Sequence, residues 1–485
     1  MSGIEVTATR PSSRGARHEA GVRTSRQSGL NDLLARVILV IAALAPIPLG
    51  SNRPFFWAVN ALVIGLVGLV YVATLRGARE PFRIGLGRLW PSAALYAAVA
   101  IYLVLQALPL GQLAPGGIAV SELLAVPTGA GIALAADAIS LSPNSTWLML
   151  MRWVTCGVLF LLVLQVGTRA HRRDLMLNVI VAIVASYAIF GLASLLQFGD
   201  TLLSMPKWAY EGSATGTFVN RNSFATFLSF GAVVTVTMLA GSFVRQDEGE
   251  EVGDDRRLRV DPIVFVYLLA LAAIVAALLA TESRMGAFAG AMGCLSVVLL
   301  TQRRLRWRRG WYLLWVPAAL AVLGAAVYLY GQGLVERLGS QAEAADVRLD
   351  LYVQVIEMIR ARPLLGYGGG AFEQAFQLFH HLPVSPDLVW DRAHNTYLAL
   401  WAELGLVAGS IPILLVGTAA VRLAWNSSRA GSGWTGRVAA TGAVVVAATH
   451  SLADFSLEIQ ANTILFVILL GVGTAARMSR RNAHS

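Results

Sequence analysis

The stretch Asp391-Arg392-Ala393-His394-Asn395-Thr396-Tyr397 puts a histidine, an arginine and a carboxylate where a long polar loop runs into an apolar segment. A neutral imidazole accepts a proton near neutral pH, because its reference pKa is about 6.5. His394 is therefore the candidate general base, and Asp391 or Glu403 could orient its ring. Arg221 follows Gly216-Thr217-Phe218-Val219-Asn220 and opens a second apolar segment. Arg284, in Thr281-Glu282-Ser283-Arg284, opens a third. A guanidinium presents a fixed fork of donors that matches phosphate oxygens, and two such forks can hold a diphosphate. His450 and Asp454 share a last polar turn, His450-Ser451-Leu452-Ala453-Asp454-Phe455. Together these residue types describe a site that binds an anionic lipid-linked substrate and moves a proton. His394, Arg284 and Arg221 are the candidate catalytic residues, with Arg392, Asp391, Glu403, His450 and Asp454 as candidate substrate contacts.

The elements that must position them are apolar helices. The chain has 485 residues, 56% of them hydrophobic and only 14% charged. A soluble chain of this length needs more charge to cover its surface. The apolar residues fall in runs of about 18–22, enough to cross the hydrocarbon core of a bilayer. The expected fold is an all-α polytopic membrane protein with about twelve transmembrane helices and one large periplasmic helical loop. The spans centre on 33–50, 55–75, 90–110, 147–167, 175–197, 222–243, 261–280, 284–301, 311–330, 395–421, 436–450 and 459–476. The net charge of +10 is carried by arginines in alternate short loops, such as Arg76, Arg79, Arg83 and Arg88, then Arg169, Arg172 and Arg173. The positive-inside rule makes these loops and both termini cytoplasmic and argues against nucleic acid as a partner. The expected divisions are a disordered cytoplasmic tail over 1–30, helices 1–9 over 31–330, a periplasmic cap over 331–394, helices 10–12 over 395–476 and a cytoplasmic tail over 477–485. The candidate residues then share one outward face.

Within the cap, residues 346–360 have helical periodicity, with Leu349, Tyr352, Val353, Ile356 and Ile359 on one face. Arg362-Pro363-Leu364-Leu365-Gly366-Tyr367-Gly368-Gly369-Gly370 lacks the Gly-Lys-Ser/Thr ending of a phosphate loop. It reads as a flexible turn that lets the cap approach a substrate. Segment 116–136 is Gly-rich and moderately apolar and reads as an interfacial or re-entrant helix. Cys156 and Cys294 lie inside apolar runs as small core residues. His380, His381, His394 and Asp454 have no metal-ligand spacing, so no metal and no cofactor is expected. Glu403 lies more than two turns inside a span, where a carboxylate needs a partner. It either braces an arginine of the site or belongs to a buried structural pair.

The blocks Arg362 to Gly370, Ala393-His394-Asn395-Thr396-Tyr397-Leu398 and Ala402-Glu403-Leu404-Gly405 resemble the signature of the O-antigen ligase and O-antigen polymerase superfamily. Asn220-Arg221-Asn222, Ser283-Arg284 and His450 to Leu457 fit the same pattern. The resemblance implies a metal-independent glycosyltransferase of the GT-C class in a bacterial inner membrane, with a periplasmic site. Its donor would be an undecaprenyl-diphosphate-linked glycan. Its acceptor would be lipid A–core or another lipid-linked glycan. It further implies His394 as the essential histidine, with Arg221 and Arg284 on the diphosphate. A direct displacement would invert the anomeric centre. The competing reading is a transporter or flippase of a lipid-linked glycan. Few spans carry ionisable groups, which counts against ion-coupled transport.

Overall fold

In a computed structural model the chain is described over residues 13–113, 124–250, 261–302, 338–427 and 433–479. It is an all-α polytopic membrane protein. Ten of the described helices are long and apolar enough to cross a bilayer. They are α1 (Ser13–Leu44), α2 (Pro54–Gly77), α3 (Trp90–Ala107), α4 (Pro143–Val166), α5 (Ala170–Leu196), α6 (Arg221–Glu250), α7 (Ile263–Ala280) and α8 (Arg284–Gln302), then α11 (Thr396–Ser427) and α13 (Gln460–Met478). Between α8 and α11 the cap holds α9 (Leu338–Ala361) and the short α10 (Phe372–Phe376). Helix α12 (Trp434–His450) has 17 residues and runs buried among the spans. The span expected at 311–330 lies outside the described residues. Helix α1 starts at Ser13, so its first turns occupy part of the stretch read as a disordered tail.

Helices α6, α12 and α13 form the middle of the bundle and are buried along most of their length. Helices α2, α3 and α11 keep mostly exposed apolar faces, as lipid-facing helices should. Without a hydrophobic drive between helices in lipid, close packing needs small residues at the crossings. The sequence supplies them: Gly293 of α8 faces Val446, Val233 and the Gly442 carbonyl, and Gly442 of α12 faces Val233 and Val297. Polar groups in this core are satisfied locally. Thr235 and Thr237 donate back to the carbonyls of Gly231 and Val233, both at 2.8 Å.

The cap packs on one end of the bundle through its own apolar cluster. Leu351, Val355, Met358 and Ile359 of α9 meet Tyr367, Phe372, Phe376 and Phe379, with Ala399 and Ala402 of α11 below. The face expected from periodicity differs. Ile359 is buried, but Leu349 is 60% and Val353 55% exposed, and Ile356 is exposed too. Both sides of α9 are apolar enough to satisfy a 3.6 period. The Arg362 guanidinium is buried, donates to the carbonyls of Ile139 (2.9 Å) and Leu124 (3.2 Å), and lies over the Tyr367 ring. The part of segment 116–136 that is described is not a membrane helix. It carries a two-stranded antiparallel hairpin, β1 (Val126–Pro127) with β2 (Ala133–Leu134), seated on the cap by Val126.

The Gly-rich block is not a flexible turn either. Gly366 to Gly369 are buried where they cross a break in α11. At Gly405 the backbone leaves the helix, with φ 74° and ψ 166°. A broken helix must re-satisfy its freed backbone groups inside the protein. Here the Tyr367 and Gly368 amides donate to the carbonyls of Ala402 and Glu403, each at 2.9 Å, and the Leu406 amide donates to Pro363 at 2.7 Å. Gln106 of α3 bonds Leu365, Glu403 and Gly369 across the same junction. A side chain at Gly405 would run into the carbonyl of Leu364. Gly405→Ala is expected to destabilise the folded protein by about 2 kcal/mol or more, since backbone strain of this kind costs about 1–3 kcal/mol before the clash is added. Thermal unfolding in detergent checks this, and an unchanged midpoint would contradict a strained crossing.

Candidate active site

Three helices begin at the cap end of the bundle, each with a side-chain cap. The Asn220 side-chain oxygen accepts the amides of Asn222 (2.7 Å) and Ser223 (3.3 Å), so Arg221 opens α6. Ser283 Oγ accepts the Gly286 amide at 3.2 Å, so Arg284 opens α8. The Asn395 oxygen accepts the amides of Tyr397 and Leu398 at 3.0 and 3.1 Å, which starts α11 one residue after that cap. Asn and Ser are favoured at this position because their oxygens satisfy otherwise orphaned amides. Each helix start carries a partial positive charge and favours an anion. The sequence reading saw the two arginines but not that they share this device with His394.

His394 precedes the Asn395 cap with φ 50°, a left-handed backbone that turns its ring back over the end of the bundle. It is held there on both sides. Its carbonyl accepts the Tyr352 hydroxyl of α9 at 2.9 Å. The Thr396 amide donates to Ser451 at 2.9 Å, and the Thr396 hydroxyl donates to the Asp454 carbonyl at 3.1 Å. The ring stands edge-on to Phe455 at 5.0 Å and to Trp390 at 6.4 Å. The carboxylate beside it is Asp454, whose Oδ1 lies 4.0 Å from His394 Nδ1. Asp454 is itself buried, accepts the Ser456 hydroxyl, and has Oδ2 3.9 Å from His450 Nδ1. His450 Nδ1 is 2.9 Å from the Thr226 hydroxyl. Burial holds the His394 pKa below the ordinary imidazole value; Asp454 pulls it back up and Arg348 pushes it further down.

Neither carboxylate expected to orient the ring does so. Asp391 lies 3.8 Å from the Arg392 guanidinium, with most of its side chain in solvent. Glu403 is buried at the cap junction, where its backbone carbonyl accepts the Gly368 amide and Gln106. Arg392 is not free for an anion either, because it pairs with Glu458 at 2.7 Å. Arg152 donates to the Glu458 carbonyl and stacks over Trp57 at 4.4 Å. The Arg392 guanidinium also lies 5.9 Å from the Phe455 ring that His394 meets edge-on.

Arg221 is tied to the turn before α8 through a residue the sequence reading passed over. Glu282, two positions before Arg284, accepts Arg221 Nη1 at 3.1 Å and the Ser213 hydroxyl at 3.2 Å. Arg221 Nη1 also donates to Ser213 at 3.0 Å, and its guanidinium lies 5.5 Å from the Tyr210 ring centre. Loop 200–213 is latched by Lys207, the only lysine in the chain. Lys207 is buried, pairs with Asp200 and donates to the Ser213 carbonyl at 2.7 Å. Arg284 is exposed and makes no hydrogen bond or ion pair among the described residues. Asn222 reaches Asp454 at 3.5 Å and so joins the arginine side to the histidine side. Arg348 of α9 was also missed. It is half-buried, and its charge acts on His394, His450, Tyr210 and Tyr352. Among the described residues no group of three His, Cys, Asp or Glu side chains is placed to hold a metal ion.

Residues 269–413 match the family model of the O-antigen ligase domain. The match spans less than a third of the chain and supports a likeness to the O-antigen ligase/polymerase superfamily over that segment. No curated protein matches the chain. The O-antigen ligase match takes in Glu282, Arg284, Arg348, His394 and Glu403. Arg221, His450 and Asp454 lie outside it and reach the same end of the bundle only through the fold. An O-antigen ligase or polymerase type of function, with lipid-linked glycans as its substrate class, goes with the match.

Proposed function

We propose that the chain is a glycosyltransferase of the ligase or polymerase type. It moves a glycan from undecaprenyl diphosphate to the hydroxyl of an acceptor sugar, either lipid A–core or a second lipid-linked glycan, at the periplasmic face of the inner membrane. The observation that carries this reading is the placing of His394, backed by Asp454, at one end of the bundle with the capped starts of α6 and α8 and their arginines. Arginines at two helix starts suit a diphosphate, and a half-buried imidazole held below its ordinary pKa suits a hydroxyl that must lose its proton.

In this mechanism Arg221 and Arg284 bind the diphosphate and stabilise the charge that grows on it as the glycosidic bond breaks. Glu282 and Ser213 fix the direction of the Arg221 fork. His394 Nδ1 faces Asp454, which leaves Nε2 to take the acceptor's proton as its oxygen attacks the anomeric carbon. Asp454 then stabilises the imidazolium. One displacement inverts the anomeric centre and needs no covalent intermediate. The cap closes the sugars off from water, and the apolar space between spans receives the polyprenyl tail.

The test uses protein in nanodiscs with an undecaprenyl-diphosphate oligosaccharide, with and without lipid A–core. A ladder without core identifies a polymerase, and a single shifted band that requires core identifies a ligase. No product in either, together with movement of the lipid-linked glycan across a liposome bilayer, would replace this reading by a transporter.

The pH profile is a separate prediction. Transfer requires neutral His394, so the rate should fall as pH drops through its folded pKa. Burial sets that acid limb below the ordinary imidazole value. Asp454 raises the pKa, so Asp454→Asn should move the limb to still lower pH while slowing the plateau rate. An acid limb that stays in place in Asp454→Asn would separate Asp454 from the titrating group.

A further inference from the structure

The opposite end of the bundle carries a second cationic site that the transfer reaction does not use. Loop 81–84 is clamped there between two helices. The Gln165 side chain bonds the Ile84 amide (3.2 Å) and carbonyl (3.0 Å), and Gln27 of α1 donates to the Pro81 carbonyl at 2.9 Å. This clamp sets Arg83 near the start of α5, where Arg169 and Arg172 are the charged groups that act on it most strongly. Arg169 donates to the Ser28 hydroxyl of α1. Arg172 is 1% exposed, pairs with Asp32 of α1 at 2.9 Å and donates to the Val166 carbonyl at 2.9 Å. Its Nη2 and the Nε of Arg83 are buried with no partner among the described residues.

Three guanidinium groups so gathered repel one another. Asp32 answers only Arg172, and Glu80 acts on Arg83 less than either arginine does. A buried guanidinium with unused N–H groups is costly unless an anion completes it. Snorkelling to water would be the ordinary fate of such arginines. It does not describe Arg172, which is fully enclosed. Phe82, next to Arg83, is 48% exposed and sets an apolar surface beside the cations. The site also lies where the apolar parts of α1 and α4 end, at the depth of lipid headgroups.

We propose that Arg83, Arg169 and Arg172 bind the phosphate group of an anionic phospholipid, which ties α1, loop 81–84 and the α4–α5 turn together. The accessible donors are Arg169 and the edge of Arg83; enclosed Arg172 supplies fixed charge behind them. Phe82 meets the acyl chain.

Native mass spectrometry of the full chain in detergent, titrated with phosphatidylglycerol or phosphatidylcholine, tests this. The wild type should retain phosphatidylglycerol in preference, and Arg83→Gln/Arg169→Gln should lose that preference by on the order of 10-fold in affinity. If the double variant fails to insert, Arg169→Gln alone, at an exposed position, should show a smaller loss in the same direction. Millimolar inorganic phosphate is the second arm. Stabilisation by phosphate alone, matching that by lipid, would keep the phosphate site and assign a soluble source. Equal retention of the two lipids by the wild type, or an undiminished preference in the variants, would overturn the proposal.

Discussion

Replacing His394 by alanine is expected to reduce glycan transfer by about 10²- to 10⁴-fold, the range a positioned general base contributes. The protein should still fold and insert. The ring is partly exposed, and it is the His394 carbonyl, with the Asn395 and Thr396 groups, that ties this corner to Tyr352 and the 451–454 turn. Removing the imidazole leaves those bonds in place. It does leave Asp454 without that neighbour, but Asp454 keeps Ser456 and the nearby His450. Donor binding should survive, because the arginines belong to other helices. The measurement is transfer rate in nanodiscs alongside binding of the undecaprenyl-diphosphate donor. Near-normal transfer with normal donor binding would remove His394 from the chemistry and leave the arginine site as a binding site only.

Arg284→Lys is expected to lower kcat by about 10²-fold, comparable to removing one preorganised donor from a developing anion. The charge is kept, so a role in bulk attraction would survive the change. An ammonium is a point charge and cannot place two parallel N–H bonds on phosphate oxygens. Arg284 gives a cleaner test than Arg221. It is exposed and makes no bond among the described residues, so its replacement leaves nothing buried and unpaired. Arg221→Lys would also strip Glu282 and Ser213 of a shared partner, mixing binding with local collapse. Rates measured at saturating donor decide the matter. Full activity in Arg284→Lys would show that charge alone suffices there.

Much of the architecture was legible because it obeys one-dimensional rules. Apolar run length follows from bilayer thickness, so the spans over 13–302 and 396–478 fell near their expected positions. Arginine placement in the loops follows from the same boundary. Helix starts were legible as the points where Arg221, Arg284 and His394 open apolar segments, but the caps Asn220, Ser283 and Asn395 that fix those starts came from the structure. The failures lie where two readings satisfy one pattern. Helix α9 has apolar residues on two faces, and the one carrying Leu351, Val355 and Met358 packs on the cap aromatics. The Gly-rich block had the composition of a loose turn, yet Gly366 lies directly against the Glu403–Gly405 backbone at the break in α11.

From the sequence alone came the membrane-spanning helical class, the residue types of the site and the end of each helix on which they stand. All of these depend on neighbours in the chain or on the thickness of a bilayer. Pairings across the fold came only from the tertiary structure. It set Asp454 rather than Asp391 or Glu403 beside His394, joined Arg221 to Glu282, and withdrew Arg392 to Glu458. A carboxylate has no sequence signature for the cation it meets. Asp454 and His394 are adjacent because the start of α11 packs on the end of α12 and the turn that follows it, and that packing is settled by the shapes of whole helices.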